Sequence, residues 1–226
     1  MRVTLITPAF RLNNLIKIKK DINFDYVDEW IIVYDKSKIN KNPYLFKNTE
    51  KIKEHLLDNW TDGSAERTNL FTQADDLALQ RGVEKSGVMP WNASRPNAMR
   101  NYALNKVIQQ WGSEGDSCGF ENTYVYFLDD DNIIHPNLYK LLKKTDGGKL
   151  YTFNQQCADA VRKGNVLDIC RIDAGQILID YSICSDIRWD ENAGAFADGN
   201  YIKECYKQNQ DSWAYIDDTL CYHNGL

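Results

Sequence analysis

The chain opens on a short β-branched run, Arg2 to Thr7, closed by Pro8, and then places apolar Leu12, Leu15, Ile16 and Ile18 at helical spacing. A second run, Trp30-Ile31-Ile32-Val33-Tyr34, is apolar without alternation and stops abruptly at Asp35 before a stretch rich in Lys and Asn. Unbroken apolarity predicts a strand buried on both faces, so this first part reads as strand, helix, strand, the βαβ unit with its right-handed crossover.

From Tyr44 to Asn92 the pattern is weaker and predicts a helix over Thr49 to Leu57, a strand over Thr68 to Thr72 and a helix over Asp75 to Lys85. After Pro96, Leu104, Val107, Ile108 and Trp111 fall at i, i+3, i+4 and i+7, one apolar face of a helix whose first turns carry Asn97, Arg100 and Asn101. Tyr124 to Leu128 is another buried-type strand, and it stops at Asp129-Asp130-Asp131-Asn132. Beyond it the pattern predicts a short helix after Pro136, strands near Leu150 to Phe153 and Gln176 to Asp180, and a helix from about Gly199 to Gln208. Strands alternating with helices predict an α/β fold, and no repeat, low-complexity tract or linker divides residues 1–226, so one domain is expected.

Composition narrows the function classes. The 226 residues carry a net charge of −5, which disfavours a nucleic-acid backbone or an anionic membrane as the main partner. No apolar run is long enough to span a bilayer and the N-terminus lacks a signal-peptide pattern, so a cytoplasmic location is expected. The six cysteines (Cys118, Cys157, Cys170, Cys184, Cys205, Cys221) form no Cys-x-x-Cys pair, which leaves reduced thiols in or near the core.

Three of the predicted strands end in polar residues: Thr7 with Arg11 soon after, Asp35, and the acidic triplet. In open α/β sheets ligands bind outside the carboxyl ends of the strands, so these groups are expected to converge. Three adjacent carboxylates repel one another, and a divalent cation would relieve the repulsion. Oxygen donors favour magnesium, calcium or manganese over zinc. The alternative is a solvated acidic turn that starts the following helix.

The strand YVYFL followed by DDDN and Pro136 resembles the Asp-x-Asp region of GT-A-fold glycosyltransferases, which use nucleotide-sugar donors. RPNAMRNYALNKVIQQW is similar to the Arg-Asn-x-Ala-Leu helix that precedes that strand in inverting glucuronosyltransferase-like and family-two-like enzymes, and VTLITPAFR and WIIVYD are similar to their first two strands. The resemblance implies a Rossmann-like mixed central sheet flanked by helices, with a nucleotide-binding half over about 1–132 and an acceptor-binding half over about 133–226. It also implies that Thr7, Pro8, Phe10, Arg11, Asp35, Arg100, Asn101, Asp129 and Asp130 border the nucleotide, and that Asp131, Asp129 and His223 hold Mn2+ or Mg2+. For Arg100 a helix-surface ion pair, for Asp35 a turn, and for His223 a structural role remain as alternatives. His135, beside Pro136, reads as a helix-start residue.

Inverting transfer needs a carboxylate base facing the acceptor hydroxyl. WDENAGAFADGNYI offers Asp190, Glu191 and Asp198, and by resemblance Asp198 is the candidate base, although the family pattern often has an acidic residue where Ala197 stands. The alternative for Asp198 is an N-cap. Asp217 and Asp218 are in reserve, and Trp189, with Asp190 and Glu191, is expected to face the acceptor.

The implied activity is metal-dependent transfer of a sugar from a nucleotide-diphosphate sugar, a UDP-sugar first, to a carbohydrate or other hydroxyl acceptor, with inversion. The rivals are a sugar-phosphate nucleotidyltransferase, whose glycine-rich loop TPAFRLNN lacks, and a non-catalytic nucleotide-sugar-binding domain of the same fold. With His223 so near Leu226, the chain is also a candidate for one domain of a longer protein.

Overall fold

The computed structural model describes residues 1–35, 44–57, 94–112, 123–169, 171–191, 193 and 196–223, without the side chains of 94, 95 and 107–112. The elements expected at 68–72 and 75–85 lie outside the described residues, as do Trp91, Cys118, Cys170 and the side chains of Val107, Ile108 and Trp111.

The fold is α/β with a mixed central sheet, as expected. In chain order the elements that matter are β1 (Arg2–Ala9), α1 (Leu12–Asp21), β2 (Glu29–Asp35), β3 (Ile52–Leu57), α2 (Ser94–Gly112), β4 (Thr123–Phe127), β5 (Asn132–Ile134) and α3 (Asn137–Leu142). They continue with β6 (Leu150–Cys157), β7 (Ala160–Arg162), β8 (Ile177–Asp180), α4 (Tyr181–Cys184), α5 (Ala197–Gln208) and β9 (Trp213–His223). Among the described residues the sheet runs β3-β2-β1-β4-β8-β6-β9-β5, with β7 paired to β6. β3, β2, β1 and β4 are mutually parallel, and β8 is antiparallel to both β4 and β6.

Both faces of this sheet are covered. Val3, Leu5 and Ala9 of β1 pack with Leu15 and Ile18 of α1, whereas Ile6 packs with Met99, Ala103 and Leu104 of α2. Successive strand residues point to opposite faces, so α1 and α2 lie on opposite sides of β1. Of the apolar residues expected on α1, Leu15 and Ile18 are buried, but Ile16 faces outward at 47% exposure.

Residues 52–57 are a strand rather than the end of the expected helix. β3 pairs in parallel with β2, and its Glu54 is buried because it accepts hydrogen bonds from the Tyr34 hydroxyl (2.6 Å) and the backbone N–H groups of Leu45 (2.8 Å) and Phe46 (3.1 Å). A burial site prepared by distant residues has overridden the local helical spacing. β5, β7 and the eleven-residue β9 are strands that the pattern does not announce. β9 runs parallel to β6 and antiparallel to β5, which it joins to the sheet.

Candidate active site

Strand alternation decides which partner each carboxylate of the triplet meets. In β4 and just beyond it, Tyr124, Tyr126 and Leu128 pack on the α1 side, and Val125 and Phe127 on the α2 side. Continued by one step each, the alternation sends Asp129 towards α2 and Asp130 towards α1. Arg100 of α2 donates from Nη2 to Asp129 Oδ1 at 2.6 Å. Asp130 Oδ2 accepts the backbone N–H groups of Phe10 and Arg11, both at 2.6 Å, and its Oδ1 lies 2.6 Å from Arg11 Nη1. Asn14 Nδ2 completes this junction by donating to the Asp130 carbonyl at 2.9 Å. The same Arg11 Nη1 stands 3.0 Å from Asp131 Oδ2. Every carboxylate of the triplet is therefore bonded to an arginine, and repulsion within it is relieved by the chain's own side chains.

Burial pushes the Asp130 carboxyl above its ordinary pKa, against the lowering effect of the two N–H groups and Arg11. Asp129 is raised for the same primary reason; Arg100 opposes the shift, and Asp173 and Asp131 add to it.

Asp198 approaches from α5. The N-cap of that helix is Phe196, so Asp198 sits in the first turn and does not act as the cap. Its Oδ1 lies 3.5 Å from Arg100 Nη1, and its Oδ2 accepts the Ala174 N–H at 3.3 Å. Gly199 makes this approach possible: a Cβ there would stand 2.5 Å from Ile169 Cα. With its side chain 25% exposed, Asp198 has its carboxyl pushed up to about 7, first by burial and then by Asp173 and Asp129, against the opposing pull of Arg100. A carboxylate with a pKa near neutrality can take and return a proton at physiological pH.

Arg100 itself is 4% exposed. Burial pulls its pKa down, but Asp129 and Asp198 outweigh that and hold it raised, hence charged. Asn97 Oδ1 accepts from its Nη1 at 2.9 Å, and its Cζ lies 4.5 Å from the centroid of the Trp189 ring. Trp189 in turn stacks on Tyr201 at 4.1 Å and 7°.

Asp173 is the acidic residue of this region that the sequence reading passes over. It accepts from Gln155 Nε2 (3.0 Å), Gly175 N–H (2.9 Å) and Arg162 Nη1 (3.1 Å), while Gln176 Oε1 accepts its N–H at 3.0 Å. Asp-x-x-Gln is a capping-box spacing, and that signal is present in Asp173-Ala174-Gly175-Gln176. Beside it lies Asn132, fully buried, whose Nδ2 has no partner among the described residues. A Cβ on Gly175 would stand 2.7 Å from that nitrogen, 3.1 Å from Gln155 Nε2 and 3.2 Å from Asp173 Oδ1, so these three side-chain ends close on the glycine.

The remaining sequence candidates divide. Thr7 is fully buried on the α1 side, where its Oγ1 accepts from Trp30 Nε1 at 2.9 Å, so its side chain belongs to the core. Pro8 is buried within β1, paired with Val33. Asp35 follows Tyr34, the partner of Ala9, and so ends β2 beside Phe10, with 8% exposure. Asn101 holds the 189–191 segment: it donates to the Trp189 carbonyl and to Glu191 Oε1, both at 2.9 Å, and accepts the Trp189 N–H at 2.8 Å. Asp190, an exposed residue, accepts Asn97 Nδ2 at its carbonyl at 3.3 Å. Trp189 is 2% exposed and forms the floor under Arg100, so its ring is not presented to an acceptor as the sequence suggests.

His223 stands opposite Asn132 in the β5–β9 ladder, with Nδ1 3.1 Å from Asn132 Oδ1. His135 Nδ1 accepts the Asn137 N–H at 3.1 Å, which is the helix-start role. Asp217 and Asp218 are exposed on β9, engaged by Asn154 with Tyr215 and by Asn137 respectively.

The carboxylate and imidazole groups of Asp129, Asp131 and His223 are suitable donors for a hard or borderline cation. In this arrangement they do not offer one a ligand set: Asp129 is bonded to Arg100 and Asp131 to Arg11, and no group of three such donors occurs among the described residues.

No family model and no curated protein matches the chain. Among solved structures, glucosyl-3-phosphoglycerate synthase from Mycobacterium tuberculosis, in complex with Mn2+, uridine diphosphate and phosphoglyceric acid, is similar with a TM-score of 0.48 and 13% identity over 98% of this chain and 70% of that one. A putative glucose-1-phosphate thymidylyltransferase from Bacillus anthracis, in complex with a sucrose, is similar with a TM-score of 0.35 and 10% identity over 97% of this chain and 87% of that one. Both likenesses are remote. Among the described residues, no helix is long and apolar enough to cross a membrane.

Proposed function

We propose that the chain is a glycosyltransferase that moves a sugar from a nucleotide-diphosphate sugar, with UDP-sugars the first donors to test, to a hydroxyl acceptor with inversion. The observation that carries this is Asp198: a carboxylate with its pKa near 7, beside the Arg100–Asp129 pair at the carboxyl end of the parallel strands. Ligands of open α/β sheets bind at that end.

In the proposed reaction the acceptor oxygen forms its bond to the anomeric carbon while the bond from that carbon to the diphosphate oxygen breaks. The electron pair of the breaking bond leaves with the diphosphate, and the hydroxyl proton passes to Asp198. Arg11, whose side chain is 54% exposed, is a cation that can exchange its pairs with Asp130 and Asp131 for the diphosphate, and buried Arg100 fixes Asp129 and Asp198 relative to each other. Preorganised charges of this kind stabilise a leaving group without reorganising during the step. Phe10 and Asp35, adjacent at the strand ends, border the proposed nucleotide pocket. Manganese and magnesium enter as conditions to vary, since the carboxylates expected to hold them are paired with arginines.

The test is a thermal-shift screen of nucleoside diphosphates and nucleotide sugars, with and without manganese. A stabilising nucleotide sugar supports the proposal, because a ligand selective for the native state raises its stability with saturation. If no nucleotide or nucleotide sugar shifts the transition under either condition, the proposal fails.

A further inference from the structure

The lysines of the chain gather on one face. α1 carries Lys17, Lys19 and Lys20, and α3 with the two residues after it carries Lys140, Lys143 and Lys144, all six exposed. The two helices meet through Tyr139, whose hydroxyl accepts the Asn23 N–H and donates to the Asp21 carbonyl, both at 2.9 Å, and whose ring lies 5.5 Å from that of Tyr26. Lys143 Nζ stands 4.8 Å from the centroid of the same Tyr26 ring, which brings the lysines of α3 to the C-terminal end of α1. The segment 44–46 extends the face, since Lys19 Nζ lies 4.6 Å from the centroid of the Phe46 ring.

Residues 12–21 and 137–144 hold six lysines and one carboxylate, Asp21, so they carry +5 on a chain of −5 and the remainder carries −10. Counting the bordering Lys47, Lys51, Asp25, Asp28, Glu50 and Asp146 still leaves the face at +3. The net charge that argues against an anionic membrane averages over this asymmetry, whereas salt screens a charged surface from whatever lies more than about 10 Å away. Two features select a lipid surface over a nucleic acid. Each of the six cations is a lysine, a flexible point charge, and none is the arginine fork that grips an individual phosphate. Apolar Ile16, Tyr44 and Leu45 are also exposed on this side, with Ile16 one helical turn from Lys19 and Lys20. Lysines that reach headgroups beside apolar side chains that reach the acyl boundary make up an interfacial surface.

We propose that the α1–α3 face docks the chain on an anionic lipid bilayer. Arg11 precedes α1 and the lysines lie in its second half, so docking leaves the candidate active site at the other end of the helix.

The experiment sediments the full chain with phosphatidylcholine vesicles made with and without phosphatidylserine. The chain should sediment with the anionic vesicles alone, and added salt should release it. Each lysine near the surface contributes about fivefold to binding, so Lys17→Gln, Lys20→Gln, Lys140→Gln and Lys144→Gln combined should lower it by more than about a hundredfold. Circular dichroism establishes that the variant is folded; should it misfold, Lys17→Gln with Lys140→Gln replaces it, with an expected loss of about twenty-five-fold. Ile16→Ser should weaken vesicle binding about fivefold through lost apolar contact, yet leave a heparin column together with the wild type. No sedimentation with anionic vesicles, equal sedimentation without phosphatidylserine, or undiminished binding by the folded lysine variant would overturn the proposal. So would an Ile16→Ser variant that binds vesicles like the wild type, which would mark the face as a site for a soluble polyanion. None of these outcomes bears on nucleotide binding, which the thermal-shift screen reports separately.

Discussion

The Arg100 guanidinium lies 4.5 Å above the Trp189 ring, and that ring lies parallel to Tyr201 at 4.1 Å, so the cation at the centre of the site rests on two stacked aromatic layers. The Trp189 indole nitrogen has no partner among the described residues, so the site uses the face of the ring rather than its N–H. Trp189→Leu removes the face and much of a fully buried side chain and should cost about 3 kcal/mol in urea denaturation. Trp189→Phe keeps an aromatic face and should cost about 1 kcal/mol. Equal losses in the two variants would show that volume, rather than the face under Arg100, is what the position supplies.

Asp198 links stability and activity to pH with opposite signs. Its native pKa of about 7 is above the ordinary carboxylate value of about 4, so the folded chain holds this proton more tightly than the unfolded chain. The corresponding stability is present below about pH 4 and is lost as pH rises towards 7. Asp198→Asn, a mimic of the protonated form, should match the wild type in melting temperature near pH 4 and exceed it at pH 8. A variant that melts below the wild type at pH 8 contradicts the shift.

For transfer, the wild-type rate should rise with pH up to about 7, where Asp198 becomes a competent base. Asp198→Asn should lower kcat by about two to four orders of magnitude while leaving donor binding intact. Initial rates across pH with the donor identified in the ligand screen check both statements, and full activity in the variant would place the base elsewhere.

Asp130 is a joint between the start of α1 and the end of β4. Asp130→Ala leaves the Phe10 and Arg11 N–H groups without their acceptor and should cost about 2 kcal/mol, measured by chemical denaturation. Asp131→Ala, which removes a half-exposed ion pair, should cost less than about 1 kcal/mol. The reverse order would mean that the turn depends on Asp131 for its shape.

Gly199→Ala puts a methyl group 2.5 Å from Ile169 Cα and 2.8 Å from Ile169 N, both backbone atoms that a side-chain rotation cannot move. The N-terminus of α5 must shift, at a cost of about 2 kcal/mol. Since Asp198 is the preceding residue, the same variant should weaken transfer more than it weakens donor binding. A denaturation midpoint at the wild-type value would show that the segments have room the structure does not give them.

The parallel half of the fold was legible because its strands are buried on both faces and end sharply at polar residues; Trp30 to Tyr34 and Tyr124 to Leu128 advertise themselves. β3 was not, since burying Glu54 depends on Tyr34 and on the N–H groups of Leu45 and Phe46, which local spacing does not reveal. The acidic triplet was easy to notice, but its counter-charges come from residues 11 and 100, far off in the chain, and local repulsion alone suggested an external cation. Alternation along β4 carries the missing information: once α1 and α2 are known to cover opposite faces, Asp129 and Asp130 must turn to different arginines. Asp173 was missed because its capping box is a common local motif, and its nearness to Asp198 arises only when α5 packs on the turn before β8.

β9 also bears on the order in which the molecule assembles. β5 is an edge strand whose ladder partner is β9, and the Asn132–His223 contact closes a loop of 91 residues. Closing so long a loop costs chain entropy before any contact rewards it, whereas β1 and β2 are brought together by a short crossover. In refolding, the β1–β2 pair should therefore acquire hydrogen-exchange protection early and both sides of the acidic turn late, since Arg11 reaches Asp130 across 119 residues and His223 reaches Asn132 across 91, which makes the site the last part of the sheet to close.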